Sequence, residues 1–169
     1  MKYNPLVLES LVERLDWVDV VKATAPKILE AGFGECIILI AYDRERRIGY
    51  MQHQTSFIPS AEESRAQATC RDFLETLKRD YSDLSRLEIT LAGDTYEDSE
   101  LAEYYRNVAD QRRDHRDYRS KIVRELLKAG IKKDNIKERW SRIRDATMGI
   151  SFNLSNGRVK INVSKELSH

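Results

Sequence analysis

The stretch MGISFNLSNGRVKINV, residues 148–163, restricts the fold more than any other segment of the chain. Two runs alternate apolar and polar residues with a period of two, the pattern of strands that bury one face. They are joined by Ser155-Asn156-Gly157, and Asn-Gly supplies the positive φ angles that a tight antiparallel turn needs. Whatever else the chain does, it carries an antiparallel hairpin near its end.

A second hairpin is expected upstream. Cys36 to Tyr42 is a continuous apolar run that fits a fully buried strand, Asp43-Arg44-Glu45-Arg46-Arg47 is a polar turn, and Ile48 to Gln54 returns as a strand. KILEAGFGE, just before, reads as a short strand ending in a glycine turn. Leu87 to Leu91 alternates and reads as another strand, ending at Ala92-Gly93-Asp94. Helices lie between these segments. Ser60-Ala61-Glu62-Glu63 is an N-cap signal that opens an amphipathic helix to Tyr81, with Ala66, Phe73, Leu74 and Leu77 on its apolar stripe. Cys70 falls on that stripe and is expected in the core. Tyr118 to Ala129 reads as a helix with Ile122, Val123, Leu126 and Leu127 inward and Gly130 as its stop. After Pro5, Leu8, Leu11, Val12 and Leu15 recur at helical spacing, which predicts an N-terminal helix that Pro26 interrupts. Strands and helices interspersed with antiparallel pairs predict an α+β fold with mixed, largely antiparallel sheets. At 169 residues, one domain is expected.

No apolar run approaches the roughly 18 residues of a membrane span, and the acid-bearing N-terminus is neither a signal nor a transit peptide. Two cysteines make no disulfide framework, so free thiols and a cytoplasmic setting are the expectation; export as an effector without a cleavable signal stays open. The net charge of +1 hides an asymmetry: acids dominate from Glu62 to Glu103, cations from Arg106 to Arg144. The basic block, including Arg112, Arg113, Arg116, Arg139 and Arg142, is either a solvated face or a surface for an acidic protein or, less readily, nucleic acid. The charged stretch from Thr95 to Tyr118 reads as an insertion.

Cys36 follows a glycine-rich segment, and His53 ends the next strand, so the hairpin returns both to the end away from its turn. A thiol attacks as thiolate, an imidazole can take its proton, and a glycine lets a backbone amide approach a developing oxyanion. A lone Cys and His on neighbouring strands can equally be packing residues. No CxxC, HExxH or phosphate loop is present, so no cofactor or metal is called for.

The segment GFGECIILIAYDRERRIGYMQH resembles the signature of CheD, the chemoreceptor glutamine deamidase family. Gly32, Gly34, Cys36, Asp43, Gly49 and His53 fall on its motif positions, and the Cys-to-His separation agrees without a gap. Fainter similarity runs from about Lys27 to Val163. The resemblance implies a layered α/β/β sandwich, shared with deamidase toxins of the cytotoxic necrotizing factor type. It also implies Cys36 as nucleophile and His53 as base, with Gly32, Gly34 and Glu35 at the oxyanion turn. The substrate would be a glutamine in a receptor or other signalling protein. The family places a Thr six residues before its Cys as third catalytic member; here that position is Glu30, a carboxylate that could orient an imidazole. Other departures are Asp94 in place of a second glycine and the basic, aromatic run Arg139 to Arg144 in place of a Gly-Gly pair. The family's fold without its chemistry, serving as a binding module through the basic 106–144 region, is the alternative.

Overall fold

The computed structural model describes residues 12–15, 20–33, 37–54, 63–93, 108–140 and 146–165. Nine strands and two α-helices are assigned among them. The strands are β1 (Val12–Arg14), β2 (Val20–Thr24), β3 (Ile28–Phe33), β4 (Ile37–Asp43), β5 (Ile48–Gln54), β6 (Glu88–Gly93), β7 (Ile136–Trp140), β8 (Ala146–Asn153) and β9 (Arg158–Lys165). The helices are α1 (Glu63–Asp80), between β5 and β6, and α2 (Val108–Lys128), between β6 and β7.

Each expected hairpin forms. β4 and β5 pair antiparallel with Ile38 opposite His53 and Asp43 opposite Ile48. β8 and β9 pair with Ile150 opposite Ile161, and Gly157 turns the chain at φ 70°. The hairpins belong to different sheets. One sheet has the order β1-β3-β8-β9 and the other β2-β5-β4-β6-β7. Both are mixed: β1 runs parallel to β3 and β7 parallel to β6, while the remaining pairs are antiparallel.

Side-chain parity makes three layers of this. Ile38, Ile40 and Tyr42 of β4 meet Leu29, Ala31, Ile150 and Phe152 of the smaller sheet in one apolar cluster. The alternate residues Ile37, Leu39 and Ala41 meet Cys70, Phe73 and Leu77 of α1 and Ile122 and Leu126 of α2 in another. β4 is therefore apolar throughout because both its faces are covered. The result is an α/β/β sandwich of the α+β class. Cys70 is fully buried in the helix layer, as its place on the α1 stripe requires. Leu127, expected inward, is 37% exposed: Ile122 and Leu126 alone take the buried positions of α2 there. Residues 108–118, within the stretch read as an insertion, are the first half of one continuous helix.

The expected N-terminal helix is corrected where the chain is described. Val12–Arg14 and Val20–Thr24 are strands; Met1–Leu11 and 16–19 lie outside the described residues. Val12 stands beside Ile28, Leu15 N–H donates to Glu30 O at 2.8 Å, and Val20 and Val21 pair with β5. Adjacent β-branched residues lose rotamer freedom in a helix and fit a pleated surface. Pairing with the two sheets outweighed the helical spacing at Val12.

The two sheets approach closely at Gly49 of β5. A methyl added there would run into Leu154 Cδ2 and the Phe152 ring. Gly49→Ala is expected to destabilise the protein by about 1–3 kcal/mol, the usual cost of overpacking a filled core. Urea unfolding would show this as a lower midpoint with an unchanged slope.

Candidate functional site at the β4–β5 end

His53 sits on the next-to-last turn-distal rung that β5 makes with β4, one before the Gln54–Ile37 pair. Its neighbours across the larger sheet are Ile38 on β4, Ala92 on β6 and Arg139 on β7. Ile38 and Ala92 both belong to the inter-sheet cluster, so strand parity turns this rung, His53 included, toward the smaller sheet. The side chain is 3% exposed. Burial pushes the imidazole below its ordinary value of 6.5, so it is neutral at pH 7 and available to accept a proton.

That shift has a consequence for stability. A base whose pKa is depressed by folding binds fewer protons folded than unfolded. Its contribution is present in full above 6.5 and is lost as pH falls below that value. Thermal unfolding should therefore show a falling Tm as pH drops through this window, with a shallower fall in His53→Gln. The carboxylates held low by their partners, Asp43, Asp80 and Glu88, lose their share only in a more acidic window.

The other expected site residues are dispersed. Cys36 immediately precedes Ile37 in the chain, and with Gly34 and Glu35 it lies outside the described residues. Gly32 is a strand residue of β3 paired with Gly149 and not part of a turn, because β3 continues through Phe33. Glu30 is on the wrong side of its strand to meet His53. Leu29 and Ala31 on either side of it are buried between the sheets, so Glu30 faces outward. There it shares a shallow depression with Arg14, Ser151 and Asn162. The thickness of the smaller sheet separates the Glu30 carboxylate from the His53 imidazole, so the structure does not bring together the base and its expected orienter.

Asp43, another motif position, is at the far end of the hairpin. It is 2% exposed, accepts the Glu45 and Arg46 N–H groups at 3.1 Å each, and receives Arg86 Nη2 at 2.8 Å. Burial acts to raise its pKa, but the Arg46 N–H and the Arg86 guanidinium hold the carboxyl below the usual range. Asp43 thus closes the β4–β5 turn. Gly49 serves sheet packing, so two of the six motif positions have structural work, while His53 is buried between the sheets.

The basic block does not form one face. Arg113 and Arg116 are on α2, in the helix layer, and Arg113 reaches Asp110 at 3.0 Å. Arg139 points the opposite way, between the sheets, while its neighbour Trp140 packs under α2 with the Arg119 guanidinium 4.3 Å from its ring centre. The side chain of Arg112 and all of Arg142 lie outside the described residues. Arg139 instead lines a cleft of about 450 Å³ at the open edge between the sheets, with Lys137, Arg158, Lys160 and Glu88. Sequence reasoning did not find this cleft. Its signal was the alternation of Arg158, Lys160 and Asn162 with Val159 and Ile161, which marks a polar strand face.

Fold and site together define a two-sheet α+β sandwich with a buried, neutral histidine beside the start of its central strand. No protein-family model matches the chain, and no curated protein sequence matches it. Among solved structures, it is similar to the hypothetical protein YfiH of Bacillus licheniformis, at 15% identity and a TM-score of 0.46, covering 71% of this chain and 49% of that one. It is similar to YlmD of Geobacillus stearothermophilus at 14% identity and a TM-score of 0.46, covering 73% and 51%. The chain spans about half the length of either structure, and likeness at this level assigns it no activity.

Proposed function

We propose that the chain is a cysteine-dependent protein glutamine deamidase of the CheD type, with Cys36 as nucleophile and His53 as base. The observation that carries this reading is the β4–β5 register. It sets His53 opposite Ile38, two residues beyond Cys36 in the sequence, with a buried imidazole held neutral. A neutral imidazole can take the thiol proton as sulfur adds to the carboxamide carbon of a glutamine side chain. Collapse of that adduct breaks the C–N bond. The proton passes from His53 to the leaving nitrogen, ammonia departs, and a thioester remains. Water, deprotonated by His53, then attacks the thioester, releasing glutamate and returning the thiol. Backbone N–H groups of residues 34–36 would supply the oxyanion contacts. Glu30 takes no part in this scheme.

The substrate is a glutamine in a signalling protein such as a chemoreceptor, or in a host or competitor protein if the chain acts as an effector. The test is conversion of glutamine to glutamate in a candidate substrate protein, followed by mass spectrometry and ammonia release. Cys36→Ala should abolish both, and Glu30→Gln should leave both close to wild type. A Cys36→Ala protein as active as wild type would sink the reading.

A further inference from the structure

The larger sheet has five strands and the smaller four, and the 450 Å³ cleft lies where the smaller one ends. Among the described residues, β9 has β8 on one side and no strand on the other. Six consecutive residues of β9 and its turn, Gly157 to Asn162, line the cleft. An edge strand offers alternate N–H and C=O groups with no partner in the ladder, and here that row borders a groove instead of open solvent.

Cations outnumber acids around the groove, four to one. Arg158 and Lys160 alternate with Val159 and Ile161, and those two pack into the inter-sheet core, so the cations take the outer face of β9. Lys137 and Arg139 face the groove from the other sheet, because their register partners Thr90, opposite Ile40, and Ala92 lie on its inter-sheet side. Glu88 is the acid of the lining, and it is committed to Arg44 at 2.6 Å, with Lys137 at 3.5 Å. Arg139, Arg158 and Lys160 make no ion pair with any described residue. Cations left unneutralised around a low-dielectric groove focus a positive potential into it.

We infer that this cleft is a docking site for an extended acidic peptide, which adds to β9 as a fifth strand of the smaller sheet. Side chains of an added strand alternate between the two faces. One set would stand beside Arg158 and Lys160. The other would face Lys137 and Arg139 across the layer, about 10 Å away, within reach of long basic side chains. Acids on both faces of the peptide are therefore matched, and apolar residues find the exposed flanks of Val159 and Ile161. The inference goes beyond the deamidase reading and does not depend on Cys36.

Lysines and arginines on edge strands also serve simply to block sheet-to-sheet aggregation, and the experiment separates the two roles. A fluorescein-labelled peptide of about eight residues alternating glutamate and valine, strand length, is titrated with the full chain by fluorescence anisotropy. Three companions are used: lysine in place of glutamate, the acidic peptide N-methylated at alternate residues, and inorganic polyphosphate. Binding of the acidic peptide, lost in the first two companions, is expected. Arg158→Glu/Lys160→Glu and, separately, Lys137→Glu/Arg139→Glu should each weaken it at least about tenfold. Arg158→Ser/Lys160→Ser serves if a reversal fails to fold, and Cys36→Ala should bind as wild type. Equal binding of the lysine or N-methylated peptide overturns the proposal. So does displacement by polyphosphate with no effect of N-methylation, which would mark a general anion site. Absence of binding, with aggregation of the serine variant, would leave gatekeeping as the role of these cations and equally overturn it.

Discussion

Phe152→Ala is expected to cost about 3–5 kcal/mol, the range for truncating a buried aromatic ring. The ring is fully buried between the sheets, edge-on to Tyr42 with centroids 5.5 Å apart and planes at 85°. Tyr42 is itself tied across the interface, donating its hydroxyl to Leu154 O at 2.9 Å. Truncation therefore removes buried apolar area, an aromatic pair and the support of a buried hydrogen bond in one step. Urea unfolding should show a strongly lowered midpoint. A second measurement makes the prediction sharper. The Phe152 ring is one of the two groups that a methyl at Gly49 would strike, so Phe152→Ala opens room for Gly49→Ala. The double variant should be less destabilised than the sum of the singles, a coupling expected only of residues in contact. Strict additivity, or a Phe152→Ala cost under about 1 kcal/mol, would show that this ring does not join the sheets.

The antiparallel hairpins and the buried face of α1 were legible in the sequence because local pattern decides them. Alternation around Asn156-Gly157 sets the β8–β9 register, and both faces of β4 are covered, so its run is apolar without a break. The strands at the start of the chain were not legible. Leu8, Leu11, Val12 and Leu15 satisfy a helical period, yet Val12 to Arg14 are claimed by β3 and Val20 to Thr24 by β5, partners that lie further along the chain. Local spacing carries no information about such partners.

The site divides along the same line. That His53 returns to the beginning of β4 follows from hairpin geometry alone. The side to which Glu30 points was also written in ILEAGF, where Leu29, Ala31 and Phe33 alternate with Ile28, Glu30 and Gly32. The resemblance places Glu30 at a catalytic position, against that alternation. Of the groove beside β9, only the polar strand face of Arg158, Lys160 and Asn162 was written in the sequence. Lys137 and Arg139 line one cleft with Arg158 and Lys160 only because β7 and β9 end adjacent layers, a property of sheet order.

Alkylation should separate the two cysteines by at least about a thousandfold in rate at neutral pH, since the thiolate is the reacting species. Burial, with Glu125 nearby, pushes the Cys70 thiol up to about 12, and the side chain is fully enclosed in the helix layer. It is an internal control that reacts only when the protein unfolds. Cys36, paired with His53 as proposed, should react with iodoacetamide along a curve whose midpoint lies well below the usual thiol value of about 8.5. His53→Ala should return that midpoint toward 8.5 and slow the reaction at pH 6.5 by about tenfold or more, while Cys70 stays protected. Glu30→Gln should not move the curve, because its carboxylate lies on the far face of the smaller sheet. Burial alone opposes charging the imidazole; in the proposed pair the thiolate beside it would offset that cost, because opposite charges stabilise each other. A Cys36 midpoint at the ordinary thiol value in wild type, unchanged in His53→Ala, would mean that the two side chains do not meet. The β4–β5 end would then be a packed corner of the sandwich and not a site of chemistry.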